Sequence, residues 1–211
     1  MNRHPIALVV AAALAFGAAC TSKQLEGQSS VYAVLDQLSA SAGVKPNEFA
    51  GYLSSDVQTY VKKNINNVQV CVPQVFEDAG RATFHLQLKD PGSAANPIIP
   101  SPSNTVTFTR YHLDYVRADG RNTPGVDVPY GFDGAMQLSV SGGNVSIGQL
   151  IIVRLQAKQE APLLALIGNG GARVISTLAN IMFYGTDAAG RAVSVKGLIN
   201  VDFADWGDPD C

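Results

Sequence analysis

Apolar side chains recur at every second position along most of this chain. Phe84, Leu86 and Leu88 alternate with Thr83, His85, Gln87 and Lys89, the pattern of a half-buried strand. Val57, Thr59 and Val61 repeat it, as do Val68, Val70 and Val72 before Pro73, and Met136, Leu138 and Val140. Val145, Ile147, Ile151, Val153 and Leu155 share one face, with Arg154, Gln156 and Lys158 on the other. Ile175, Ala179, Ile181 and Phe183 line a further strand. The cleanest runs through Val193, Val195, Gly197, Ile199, Val201 and Phe203. Between Thr105 and Arg117 the parity changes: Val106 and Phe108 share one face, Tyr111, Leu113 and Tyr115 the other. A β-bulge near Thr109-Arg110, or a strand bending between two sheets, reconciles them.

The punctuation between these runs is turn chemistry. Glu77-Gly80, Ala118-Arg121 and Thr186-Gly190 read as turns, and Ser141-Asn144 as a hairpin loop. Residues 90–104 hold four prolines and form an irregular loop; residues 39–52 are also loop-like. Val31, Val34, Leu35 and Leu38 fit helical spacing behind Ser29-Ser30, yet Tyr32, Val34 and Leu38 also fit a strand. The surrounding β pattern favours strand. Residues 161–167, APLLALI, are the best helical stretch, with Pro162 in the first turn and Gly168 ending it. The sum is an all-β, antiparallel sandwich of about eight or nine strands with one short helix, filling residues 31–211.

The start of the chain breaks the pattern. Arg3 and His4 precede an unbroken apolar run of eleven residues, Ile6–Phe16, and Gly17-Ala18-Ala19 lead into Cys20. This is the layout of an export signal helix with a small-residue cleavage site. Eleven apolar residues fall short of the roughly 20 that span a bilayer. The cysteine after the small residues makes the stretch resemble the lipobox of bacterial lipoproteins, although Gly17 stands where that motif usually has an aliphatic residue. The resemblance implies a signal peptide at 1–19, lipid on Cys20 and, with Thr21 next, sorting to the outer membrane; cleavage without lipidation is the alternative. Residues 20–30 then form a lipidated cysteine and a polar tether.

Charge and cysteines narrow the classes. The net charge is −2, and losing Arg3 with the leader makes it more negative. No basic run exists, which excludes the electrostatic footprint of a nucleic-acid binder. With Cys20 assigned to lipid, Cys71 and Cys211 remain: an oxidising compartment allows one bridge between them, and the alternative is a buried thiol and a frayed terminus.

Catalytic constellations are missing. The sequence holds no GxSxG, HExxH or P-loop, so no catalytic residue, cofactor or firm metal site is assigned and an enzyme is not expected. His85 and His112 fit the polar outer side of strands. Asp205, Asp208 and Asp210 crowd the C-terminal segment and are weak calcium candidates, lacking EF-hand spacing; Asp127 and Asp133 flank VPYGF. Asp202 belongs to the polar face of the last strand. Trp206, the only tryptophan, fits packing over a sheet edge, with a sugar-stacking platform as the alternative; Tyr111, Tyr115 and Tyr130 read as core or edge aromatics.

Four stretches carry a wider likeness: YLSSDVQTYV (52–61), TVTFTRYHLDYVRADGRNTPGVDVPYGFDGAM (105–136), VRLQAKQEAPLLAL (153–166) and IMFYGTDAAGRAVSVKGLINVDFADWGDP (181–209). They resemble a family of uncharacterised bacterial envelope lipoproteins with immunoglobulin-like β-sandwich domains. The resemblance implies a lipid-anchored envelope protein, periplasmic or surface-facing, and transfers no ligand site beyond Cys20. The expected function is a non-catalytic structural or binding module whose envelope partner, protein or glycan, is open. A glycan- or calcium-binding module is one alternative, and a hydrolase assembled from distant residues is another.

Overall fold

The computed structural model describes residues 29–208 and 211. The expected signal helix, the expected lipidation site Cys20, the expected tether as far as Gln28, and Asp210 lie outside the described residues. Twelve strands run through the described part: β1 (Val31–Ser41), β2 (Tyr52–Asp56), β3 (Thr59–Ile65), β4 (Val68–Gln74), β5 (Asp78–Leu88), β6 (Gly92–Ser93), β7 (Asn96–Pro97), β8 (Thr105–Val116), β9 (Phe132–Ser141), β10 (Ser146–Val153), β11 (Ile175–Asp187) and β12 (Ala192–Ala204). A helical turn, α1 (Leu155–Lys158), and a 3-10 turn (Leu163–Leu166) interrupt them. The fold is all-β.

Two larger sheets face each other. One has the order β1-β5-β10 and the other β2-β12-β11-β8-β9; β3-β4 and β6-β7 are separate two-stranded ribbons. Alternation dictates the layering: β11 and β12 bury Thr177, Ala179, Ile181, Phe183, Ile199, Val201 and Phe203, and β5 buries Ala82, Phe84 and Leu86 against them. Phe84 of the smaller sheet stacks on Phe108 of the larger at 4.8 Å and meets Phe183 edge-on at 5.1 Å. Such ring pairs add about 0.5–1.5 kcal/mol beyond their buried area. Two tyrosines stitch the layers. Tyr111 Oη donates to the Ile151 carbonyl (3.1 Å) and accepts the Ile151 N–H (3.0 Å), and Tyr115 Oη donates to the Ile152 carbonyl at 2.6 Å. Burial pushes both phenols above their ordinary pKa.

The parity change in β8 is a bulge. Tyr184 pairs with Arg110 and Gly185 with Phe108, leaving Thr109 without a partner on β11. A Cβ on Gly185 would meet the Thr107 carbonyl oxygen at 2.3 Å, so glycine is required where the bulged strand presses in. Residues 31–38 are strand, and β1 continues through Ser41, three residues into the stretch read as loop.

Four expectations need correcting. The sheets are not wholly antiparallel, because β2 joins the edge of β12 in parallel register. Ser141–Asn144 does not close a hairpin: β9 and β10 lie in different sheets, so this turn carries the chain from one layer to the other. Glu77–Gly80 is not a turn; β5 begins at Asp78, and Asp78 and Gly80 are buried. Leu155–Lys158 leaves the strand pattern for α1, a departure explained below by what Lys158 binds.

Candidate functional site

Three features converge at the end of the molecule where β1 finishes. The loop 42–50 is closed by reciprocal backbone hydrogen bonds between Ala40 and Ala50 (2.8 and 2.9 Å), and Arg81 caps the Phe49 ring at 3.8 Å. The hairpin β3-β4 turns on Asn66 and Asn67, both with positive φ, the backbone a two-residue turn requires and asparagine tolerates. The segment after β12 brings in Trp206, whose backbone N–H donates to Asp56 at 3.1 Å. Together they enclose a groove of about 860 Å³, within the range of small-ligand sites. Phe49, Tyr52, Tyr60 and Trp206 line it, with Lys45, Glu48, Asp56, Lys62 and Asp208 as charged groups. Tyr52 and Tyr60 are exposed.

Asp56 anchors the floor. Its other oxygen accepts the Thr59 hydroxyl at 2.8 Å. Burial pushes its carboxyl above the ordinary value, hydrogen bonds from Thr59 and the Trp206 N–H oppose that, and the neighbouring Asp208 adds to it. A Cβ built on Gly171 would lie 3.6 Å from the Trp206 ring, and the Trp206 Nε1 is buried without a hydrogen-bond partner. The arrangement offers flat apolar rings beside carboxylate and ammonium groups. It can stack on a ring-shaped ligand and exchange hydrogen bonds at the rim.

A buried ion pair holds this end in shape. Lys158 Nζ lies 2.9 and 2.8 Å from the two Asp78 oxygens, with the side chains 1% and 0% exposed. Asp78 also accepts the Ser55 hydroxyl at 2.6 Å and the Gly43 N–H at 2.8 Å. Burial pushes the Asp78 carboxyl up while Lys158, Ser55 and Gly43 pull against it. One carboxylate thus ties α1, β2 and the loop 42–50 together behind the groove wall. A Cβ at Gly43 would meet the Glu77 carbonyl oxygen at 2.3 Å, so the loop passes too close for any other residue. This cluster was not read from the sequence: Lys158 looked like the polar face of a strand, and Glu77–Gly80 like a surface turn.

The structure places Cys71 and Cys211 in a disulfide, with a Cα–Cα separation of 5.7 Å. It fastens the hairpin to the segment carrying Trp206 and Asp208. The valines of β4 are half-buried or exposed, not a core face. His85 pairs with Asp36 at 2.7 Å, and His112 sits 3.0 Å from both Asp114 and Asp133. Neither histidine reaches the groove lining. Tyr111 and Tyr115 are core; Tyr130 is exposed. Asp127 accepts the Thr123 N–H within its own loop. Asp205 accepts the Gly168 N–H at 2.5 Å, so it caps a turn, and Asp208 stands in the groove lining. Among the described residues, no three His, Cys, Asp or Glu side chains converge to hold a metal ion. Also among the described residues, no helix is long and apolar enough to cross a membrane.

The groove and the start of the described chain lie at opposite ends. β1 begins beside Leu88 and ends at Ser41 beside the groove, and its eleven residues span about 33 Å. Comparison with family models, curated proteins and solved structures gives no match.

Proposed function

We propose that this chain is a lipid-anchored, non-catalytic binding module of the bacterial cell envelope, immunoglobulin-like in its sandwich, that takes glycan-type ligands in the Trp206 groove. The observation that carries the reading is the groove itself: four aromatic rings and three carboxylates in about 860 Å³, at the end of the domain away from the tether. Aromatic faces pack against the C–H faces of sugar rings, and carboxylates accept their hydroxyls. The lipobox-like run into Cys20 supports the anchor, and the resemblance to envelope lipoproteins supports the compartment. Acylation with two or more chains makes such anchoring stable.

Trp206 is its own reporter, as the only tryptophan. Titration of the protein with envelope glycan fragments is expected to shift its emission saturably, and Tyr60→Ala to weaken binding by about 3–10-fold, the worth of one aromatic contact. Absence of saturable binding to any fragment, with the fold intact by circular dichroism, would remove the glycan reading. The anchor is tested separately: Cys20→Ala is expected to move the protein from the membrane to the soluble fraction, and unchanged partition would overturn it.

A further inference from the structure

We infer that the uncharged segment 91–104 is a membrane-contact surface that seats Ile98 and Ile99 at the acyl-chain boundary of the bilayer. The inference rests on the lipid-anchored reading and adds an orientation to it. Both ends of the segment flank the point where the chain from Cys20 enters the domain. β5 leaves at Leu88, paired with Val31, and the next residue, Lys89, donates its N–H to the Ser30 carbonyl at 3.1 Å. The segment returns at Thr105, which shares a small hollow with Ser30, Val31 and Asp187. From Cys20 to Ser29 the chain reaches at most about 30 Å, so a lipid on Cys20 keeps this end close to the bilayer.

Residues 91–104 contain no Asp, Glu, Lys or Arg, so no charge must be desolvated when they meet lipid. Ile98 and Ile99 are 58% and 75% exposed, and Ile99 is the most exposed large hydrophobic side chain among the described residues. Their exposure is built in. The Ile98 N–H donates to the Pro91 carbonyl (2.8 Å), the Ser101 N–H to the Asn104 side chain (2.9 Å), and the Gly142 N–H to the Asn104 carbonyl (3.1 Å). Next to Val31 at the same end of β1, Tyr32, 57% exposed, has the Lys89 ammonium 5.1 Å from its ring centre. An amphipathic aromatic next to a snorkelling lysine suits the headgroup layer. Apolar side chains held rigidly at the tethered end gain by leaving water for lipid.

The test uses the full-length lipidated protein in phosphatidylethanolamine–phosphatidylglycerol vesicles, carrying Ile99→Trp. Brominated lipids are expected to quench the added emission and to leave the Trp206 emission of the parent unchanged. Val126→Trp is the control. Val126 is 68% exposed in the loop after Val116, where β8 has run away from Thr105 and the tethered end. Vesicle-bound Ile99→Trp protein with no added quenching, or equal quenching of Val126→Trp, would overturn the contact surface while the anchor stands. Protein that fails to float with vesicles would overturn the anchor, and the contact surface with it.

Discussion

Replacing Lys158 by methionine should be among the most damaging single changes in this domain. Lys158→Met keeps most of the side-chain volume and removes the cation bonded to Asp78 in a site where both groups are at most 1% exposed. Removing one partner of a buried ion pair costs about 3–5 kcal/mol, a large part of the roughly 5–15 kcal/mol that holds a domain together. At about 2–4 °C per kcal/mol for a chain of this size, the melting temperature should fall by roughly 6–20 °C. A second variant separates charge from packing. Asp78→Asn with Lys158→Met abolishes both charges but keeps an acceptor for the Gly43 N–H and a donor for the Ser55 hydroxyl. It should recover at least half of the loss. The pH arm has a definite sign. Burial already holds the Asp78 carboxyl above its ordinary value, and Lys158→Met removes the cation that opposes burial. A carboxyl whose folded pKa is raised favours folding when protonated, so the deficit should be small at and below the ordinary carboxylate value, grow by about 1.4 kcal/mol per unit as pH rises towards the folded pKa, and level off above it. Urea denaturation at several pH values reads all three. A loss under about 1 kcal/mol, or a double variant no better than the single one, would refute the reasoning.

Other expectations test separate parts. Tyr115→Phe leaves the Ile152 carbonyl without its 2.6 Å donor between the layers and should cost about 1–3 kcal/mol in chemical denaturation. Cys71→Ala with Cys211→Ala opens a link across 140 residues, worth up to about 5 kcal/mol in the chain-entropy account, and the loss should come with faster hydrogen exchange in β3 and β4. Burial pushes the Asp187 carboxyl up, but hydrogen bonds from the Arg191 N–H, Ser29 and the Ala189 N–H outweigh it and hold the pKa low. Its stabilisation is therefore present above the ordinary carboxylate range and is lost as pH falls through the depressed value. The gap in melting temperature between the parent and Asp187→Asn should close on acidification below about pH 4.

Much of the fold was legible because the period-two signal is strong where one face is buried. β5, β11 and β12 fall where Phe84, Phe183 and Phe203 alternate with polar residues, and the broken parity around Thr109 did mark a bulge. The signal fails where a strand has no buried face. The valines of β4 alternate as a core strand does, yet they sit on a ribbon held outside the sheets. It also fails where connectivity matters: Met136–Val140 and Val145–Val153 look like the arms of a hairpin, but alternation cannot say which layer a strand joins. Lys158 was misread for a related reason, since a lysine is assigned to solvent unless a partner as distant as Asp78 is known. Of the groove, only Trp206 stood out as a possible platform. Phe49, Tyr52 and Tyr60 lie within one short stretch, but only the tertiary fold, which brings Trp206 against them, makes them a lining.

The Cys71–Cys211 link also sets a clock. At about 5–20 residues per second of synthesis, Cys71 waits roughly 7–28 s for a partner 140 residues behind it. Over that interval β3 and β4 can form, but nothing covalent holds them to the segment bearing Trp206. The groove is therefore the last part of the domain to be locked, and the lock needs an oxidant. For the binding module proposed above, competence to bind would then report that the chain has reached an oxidising compartment.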